Sequence, residues 1–175
     1  PIGHRTADYR EVQSRVVSGI KSCLYTEQSV LISTSSATGL MEAGVRNLSA
    51  KKVASFVCGA FSKRQADITR ICGLDQDIFE VPWGQATTAE QVDAALSAGD
   101  YDLVTIVLNE TSTGVMNPLA EIGEVVKKYP DVLLMVDAVS GMLGAPIKID
   151  EWGVDMALAS VQKAWALPPG FALTS

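Results

Sequence analysis

The sequence contains little of what several classes of protein require. It has one histidine, and its three cysteines show no CxxC spacing, so we expect no metal site, and reduced thiols rather than a disulfide framework. The longest basic run is Lys51-Lys52 in a chain of net charge −6, whereas a nucleic-acid surface needs clustered lysine and arginine. No run of about 18 apolar residues and no signal-peptide pattern is present. These absences predict a soluble intracellular protein that binds neither nucleic acid nor a membrane.

The apolar residues that are present suffice for one folded unit. With 175 residues, 47% of them hydrophobic, the chain can bury one core. Residues 7–24 place apolar side chains at helical spacing, which predicts an amphipathic helix. Short apolar runs of the kind buried on both faces of a parallel sheet follow, at residues 29–33, 52–57, 78–81, 103–108 and 132–136. Further strands are predicted within residues 153–159 and at 171–175.

Helical patterns alternate with these strands, at residues 39–47, 63–72, 88–96 and 118–129. Alternation of this kind is typical of right-handed βαβ units. The sequence therefore predicts an α/β fold with three layers, α/β/α, and a mostly parallel sheet. Ligands of such domains bind outside the carboxyl ends of the strands, so we expect functional residues directly after each strand.

Small polar residues or an aromatic residue follow three of the strands. Residues 34–39 lead into a helix, which predicts either a phosphate site or a simple Ser/Thr helix cap. The glycines of a dinucleotide loop and the lysine of a Walker loop are absent there. Phe61 follows the second strand and could stack on a ligand ring or belong to the core. Thr111, after the fourth strand, could form a turn or bind a ligand.

Two charged residues complete the pattern. Asp137 closes the apolar fifth strand, where a carboxylate is costly without a partner; a cationic ligand nitrogen or a turn would supply one. Lys163 follows the sixth strand and precedes a Pro-Pro-Gly turn; it is either a surface charge or a reactive amine. An amine that forms an imine and an anion beside a ring nitrogen are what an aldehyde cofactor needs. Asp155 is predicted to order a turn, and the single histidine argues against a Ser-His-Asp triad.

Six segments of the chain together resemble the class V aminotransferases of fold type I, in particular the alanine–glyoxylate and serine–glyoxylate (serine–pyruvate) group. The segments occur in the family's order and cover nearly the whole chain, which makes the set far more specific than any one of them. They are residues 3–6, 36–43, 59–64, 110–118, 136–140 and 162–170.

The resemblance implies a role for each candidate site residue. Lys163 would be catalytic, holding pyridoxal 5'-phosphate as an internal aldimine and moving a proton between the substrate Cα and the cofactor C4′. Asp137, also catalytic, would pair with the pyridinium nitrogen. Phe61 would stack on the ring, and Thr111 would lie beside it. The remaining implied contacts are to the phosphate, from Ser36, the backbone of Ala37, Thr38 and Gln162.

The implied reaction is transamination of alanine or serine with glyoxylate or pyruvate, through a pyridoxamine phosphate intermediate. The implied partners are therefore small amino acids and 2-oxo acids, and a second copy of the chain in a homodimer whose active site lies at the subunit interface. The alternatives are a 2-aminoethylphosphonate–pyruvate transaminase and a non-catalytic fragment of the same fold. The expected location is cytoplasmic, with peroxisomal or mitochondrial location as alternatives.

The sequence departs from the family in two residues and in length. Ala37 stands where glycine is frequent, which matters only if the backbone there needs a positive φ. Phe61 replaces a frequent Trp or Tyr and keeps the flat ring. Because family members are about twice as long, residues 1–175 are expected to be the cofactor-binding large domain, lacking the N-terminal segment and the C-terminal small domain. That small domain carries the arginine for the substrate carboxylate, and a partner-subunit loop completes the phosphate site.

Overall fold

The computed structural model describes residues 2–175, in which helices and strands alternate. The helices are α1 (Ala7–Leu24), α2 (Ala37–Leu48), α3 (Ala60–Ile71), α4 (Ala89–Ala98), α5 (Leu119–Val126) and α6 (Ile149–Trp152). The strands are β1 (Leu31–Ser33), β2 (Lys52–Val57), β3 (Asp75–Glu80), β4 (Leu103–Val107), β5 (Asn109–Glu110), β6 (Val115–Met116), β7 (Leu133–Asp137), β8 (Met156–Ser160) and β9 (Ala172–Thr174).

Seven strands form one mostly parallel sheet in the order β1-β9-β8-β7-β4-β2-β3. Strands β3, β2, β4, β7 and β8 pair in parallel, whereas β9 is antiparallel to both β8 and β1. A separate antiparallel pair is formed by β5 and β6. The carboxyl ends of the parallel strands meet at one edge of the sheet, which places the loops after β2, β4, β7 and β8 side by side.

Helices cover both faces of the sheet. Alternate residues of each strand point to opposite faces, so that Val53 packs with α2 while its neighbour Ala54 packs with the helices of the other face. The first face carries α2 and α3; the second carries α4, α5, α6 and the end of α1. Fully buried side chains such as Leu134 each contribute about 1.5–3 kcal/mol through burial. The predicted α/β fold of three layers with a mostly parallel sheet is confirmed.

Two strands that were predicted to be buried on both faces are partly exposed. β1 and β3 form opposite edges of the sheet, and Leu31 and Ile78 are 63% and 53% exposed. A short apolar run does not distinguish an edge strand from a central one, because edge position depends on strand order. The sequence patterns also missed the β5–β6 pair and the four-residue helix α6.

Among residues 2–175, no helix combines the length and the apolar character needed to cross a membrane.

Candidate functional site

A cavity of about 280 Å³ opens at the carboxyl edge of the sheet, close to the lower end of roughly 300–1,000 Å³ that small-molecule sites occupy. It lies between the ends of β7 and β8 and the beginnings of α2 and α3. The structure brings all eight candidate residues of the sequence to its wall: Ser36, Ala37, Thr38, Phe61, Thr111, Asp137, Gln162 and Lys163. Six further lining residues were not predicted: Met41, Arg64, Asn109, Val139, Ser140 and Ser160.

The N-terminus of α2 is open toward this cavity. Ser36 occupies the N-cap position, but its side chain makes no capping hydrogen bond. The N-cap threonines of α1 and α4, in contrast, each accept a hydrogen bond from the backbone N–H three residues on. Ser36 is thus the N-cap residue by position, but its hydroxyl does not cap the first N–H groups of α2. Uncapped N–H groups and the positive end of the helix dipole form a site suited to an anion such as phosphate.

Ala37 is compatible with this site although glycine is frequent there in the family. Ala37 is the first residue of α2 and does not adopt a positive φ. Its backbone N–H has no acceptor among the described residues. A Cβ at this position therefore causes no backbone strain and leaves the N–H available to a ligand.

Asp137 ends β7 as a buried carboxylate with few partners. Its Oδ1 accepts a hydrogen bond of 2.9 Å from the N–H of Val139, so the residue does order the turn after β7. No other hydrogen bond to its carboxylate is found within residues 2–175. Burial raises the pKa of Asp137 to about 6, and the charge of Glu110 adds to this, against the opposing effects of the Val139 N–H and Arg64. A cationic group in the cavity would stabilise the ionised form.

Lys163 lies in the turn after β8, at the cavity wall. Six other lysines pair with carboxylates, and Lys21 donates to the carbonyl of Glu27. Lys163 alone has neither kind of partner within the described part of the chain. Its exposed primary amine is therefore not engaged in a structural contact.

Glu110, which contacts the residues around the cavity, was also not predicted from the sequence patterns. It is fully buried behind the cavity and accepts hydrogen bonds from the backbone N–H groups of Phe61, Ser62 and Ser112 and from both serine hydroxyls. Burial opposes its ionisation, but these hydrogen bonds outweigh burial and lower the pKa of Glu110. A glutamate in a polar segment gave no local signal, because its burial depends on the packing of β5 against α3.

Phe61 and Thr111 each contact a neighbouring residue of the cavity wall. The half-buried ring of Phe61 lies under the guanidinium of Arg64, whose Cζ is 5.2 Å from the ring centroid. Thr111 donates a hydrogen bond of 2.9 Å from its hydroxyl to Oγ of Ser140, which in turn donates to the carbonyl of Asn109. The hydrogen bonds of Ser140 join the loop after β7 to β5 and the residue that follows it.

The cavity thus combines three chemical abilities. An open helix N-terminus can hold an anion, a buried carboxylate can hold a cation, and a free amine can react with a carbonyl. Gln162, with its side chain exposed at the wall, adds a polar amide. A ligand that is anionic at one end, cationic in its ring and carries an aldehyde matches this set of donors and acceptors.

Comparisons with known proteins give consistent matches. A family model described as aminotransferase class-V matches residues 24–173. A protein named the small subunit of a soluble hydrogenase, from Synechococcus sp., is 36% identical over 100% of this chain and 47% of its own length. An L-aspartate–glyoxylate aminotransferase of Paracoccus denitrificans is 34% identical over 98% of this chain and 45% of its own length. The chain therefore spans about half the length of these relatives.

The fold has close counterparts among solved structures. The crystal structure of an alanine–glyoxylate aminotransferase from Nostoc sp. superposes with a TM-score of 0.94 and 30% sequence identity. The match covers 100% of this chain and 47% of the Nostoc chain.

Proposed function

Because the chain belongs to the class V aminotransferase family, we propose that it is the cofactor-binding large domain of an aminotransferase that uses pyridoxal phosphate. The family match confirms the membership predicted from the six sequence segments. One observation carries the proposal: an unpaired amine, a buried carboxylate and an uncapped helix N-terminus line the same cavity. These groups favour transamination over the activity in the name of the Synechococcus relative, because transamination uses all three.

The residues of the cavity fit the cofactor. When bound, pyridoxal phosphate supplies an aldehyde that exchanges amino groups and a ring that withdraws electrons from the substrate Cα. Phe61 would stack on the ring, and Thr111 would lie beside it. The phosphate would be held by the donors that the α2 N-terminus and β8 loop present: the Ser36 hydroxyl, the Ala37 N–H, the Thr38 hydroxyl and the Gln162 amide.

Asp137 and Lys163 would have different duties toward protons. The Asp137 carboxylate would hold a proton on the ring nitrogen, since an anion in a buried site stabilises an adjacent cation. Lys163 would hold the aldehyde end of the cofactor, and its Nζ would take a proton from the substrate Cα and deliver it to C4′. The lack of any other partner for the amine of Lys163 within residues 2–175 supports this assignment.

For the substrates, we propose alanine or serine as amino donor and glyoxylate or pyruvate as acceptor. The Paracoccus relative and the Nostoc structure both have glyoxylate in their names, which supports glyoxylate as the acceptor. They differ in the donor named, aspartate in one and alanine in the other. The donor is therefore to be measured with a panel that includes alanine, serine, aspartate and 2-aminoethylphosphonate. Activity with 2-aminoethylphosphonate alone would overturn the proposed substrates.

We further propose that the whole protein is a cytoplasmic homodimer with its active site at the subunit interface. An apolar cavity of about 550 Å³ between α1 and the β1–β9 edge supports association at this surface. Val12, Val16 and Phe171 line it and are 39%, 44% and 49% exposed. Apolar patches of this kind are typical of interaction surfaces.

Borohydride reduction of the full-length holoprotein tests the central assignment. Reduction makes the bond between an amine and the cofactor permanent, so peptide mapping by mass spectrometry should find the cofactor mass on the peptide that contains Lys163. Lys163→Ala should abolish that mass and lower kcat by roughly a thousandfold or more. Lys51→Ala is the matched control, because Lys51 lies just before β2, at the amino ends of the parallel strands. This variant should change neither the labelled peptide nor kcat. Cofactor mass on another lysine, or its persistence in Lys163→Ala, would refute the assignment.

A further inference from the structure

Glu110 connects the two sides of the cavity although it is not itself part of the wall. One of its oxygens accepts from the N–H of Ser62 at 2.9 Å and the other from the N–H of Ser112 at 3.1 Å, while Phe61 N–H lies 3.2 Å from both. Phe61 is the second residue of α3, and Thr111 is covalently next to Glu110. The carboxylate therefore fixes the backbone at both residues that flank the cavity.

We propose that Glu110 is a positioning residue that sets the place of the Phe61 ring, and secondarily of Thr111, relative to the cofactor ring. The inference rests on the proposed function for the identity of the ligand, but not for the contacts themselves. It goes beyond a general stabilising role, because the N–H of Phe61 is bound directly by this carboxylate.

A carboxylate suits this position better than a neutral amide. Each of its oxygens faces N–H or O–H donors, so a glutamine would point its NH2 group at a donor whichever way it turned. The negative charge also lies at the N-terminus of α3, where the helix dipole favours it. Backbone N–H groups of α3 are thereby used by Glu110, and that of Ala60 by the Ser112 hydroxyl. The first N–H groups of α3 are therefore hydrogen-bonded within the protein, whereas the N-terminus of α2 has no side-chain cap.

Gly59 shows how little room this arrangement leaves. A Cβ at Gly59 would lie 2.5 Å from Cγ of Glu110 and 2.6 Å from Oγ of Ser112. The glycine is needed for space rather than for its backbone conformation, since its φ of 167° is extended. The loop after β2 and the glutamate after β4 thus fit against each other without a gap.

A double-mutant cycle in the full-length protein tests the proposal. Glu110→Gln should weaken pyridoxal phosphate binding to the cofactor-free protein about tenfold in a spectroscopic titration. If the effect passes through the ring, most of it should disappear in a Phe61→Leu background. Asp102→Asn is the control, because this carboxylate also binds backbone N–H groups but lies just before β4, at the amino ends of the parallel strands. Its effect should be small and the same in both backgrounds. Equal effects of Glu110→Gln with and without the Phe61 ring would overturn the proposal.

Hydrogen exchange provides a readout that needs no cofactor. Glu110→Gln should increase exchange at the Phe61 and Ser62 amides, and Ser112→Ala, a milder change, should do so to a smaller extent. Unchanged exchange in both variants would refute the proposed contact. If the wild-type protein binds no pyridoxal phosphate while these amides respond as expected, the proposed function fails and the positioning of Phe61 by Glu110 stands.

Discussion

Asp102 and Asp137, at the amino and carboxyl edges of the sheet, differ in the number of hydrogen bonds that their carboxylates accept. Asp102, at the amino edge before β4, accepts hydrogen bonds from the Ser49 hydroxyl and from three successive backbone N–H groups, at 2.6–3.1 Å. Burial opposes its ionisation, but these bonds outweigh burial and lower the pKa of Asp102. Asp137, at the carboxyl edge, has the single N–H of Val139, and its pKa is raised to about 6.

The difference separates a structural carboxylate from one available to a ligand. A carboxylate whose oxygens are fully hydrogen-bonded stabilises the fold and has nothing left to offer. A buried carboxylate with one donor lowers the stability of the ligand-free protein, and a cation is needed to offset this. Asp155, at the amino edge, also accepts only one N–H but is exposed. Burial combined with few donors, as at Asp137, is therefore what marks the proposed cofactor site.

Of the substitutions that test this comparison, the one expected to affect catalysis most removes the charge of Asp137 at the carboxyl edge. In the full-length holoprotein, Asp137→Asn should lower kcat roughly a hundredfold or more, because a neutral amide no longer holds the proton on the ring nitrogen. Steady-state kinetics with the best donor and glyoxylate measure the effect. Asp155→Asn is the matched control: Asp155 precedes β8 at the amino edge, and its Oδ2 accepts one N–H, that of Leu134. Similar losses in the two variants would contradict the distinction.

A smaller effect, on stability, is expected at the amino edge. Asp102→Ala leaves four donors without their acceptor and should lower the free energy of unfolding by about 2 kcal/mol. Urea denaturation measures this change. The absorbance spectrum of the bound cofactor should stay that of the wild type, since Asp102 lies at the far end of β4. A changed cofactor spectrum with unchanged stability would contradict the conclusion that Asp102 serves the fold rather than the ligand.

A third effect is a pH dependence of stability in the cofactor-free protein. Because the folded state raises the pKa of Asp137 from 3.8 to about 6, it binds this proton more tightly than the unfolded state. The contribution is therefore present in full below about pH 4 and is lost as the pH rises through about 6. The loss should be roughly 3 kcal/mol, because each pH unit between the two pKa values contributes about 1.4 kcal/mol, and Asp137→Asn should abolish it. A constant difference in stability between wild type and variant across this pH range would rule out the effect.

Periodicity predicted the elements that are long or central. The helix predicted at residues 7–24 and the strand at 52–57 have the same bounds in the structure. The apolar residues of the strand are buried, whereas in the helix only Ile20 and Leu24 are buried and the apolar face before them is open. Edge strands were predicted less well, since the runs at β1 and β3 are apolar but half open to solvent. Strand order depends on the whole fold, so a short apolar run does not show whether its strand lies at the edge or in the centre of the sheet.

The candidate site was predictable to the extent that its residues follow strands. The carboxyl ends of parallel strands converge, which is why residues as distant in sequence as Ser36 and Lys163 line one cavity. Their individual roles toward the cofactor came from the family resemblance and stay predictions. Glu110 was not recognised because its importance lies in the number of donors around it, and those donors belong to α3 and to its own loop.

The open N-terminus of α2 links ligand retention to heat resistance. A group that binds only the folded state stabilises it by mass action, in proportion to the logarithm of its free concentration. An anion held by the N–H groups of α2 would tie the first turn of that helix to the loop after β8. Dissociation of the cofactor and thermal unfolding of the domain would then be coupled. Preparations that retain the cofactor should therefore unfold at a higher temperature.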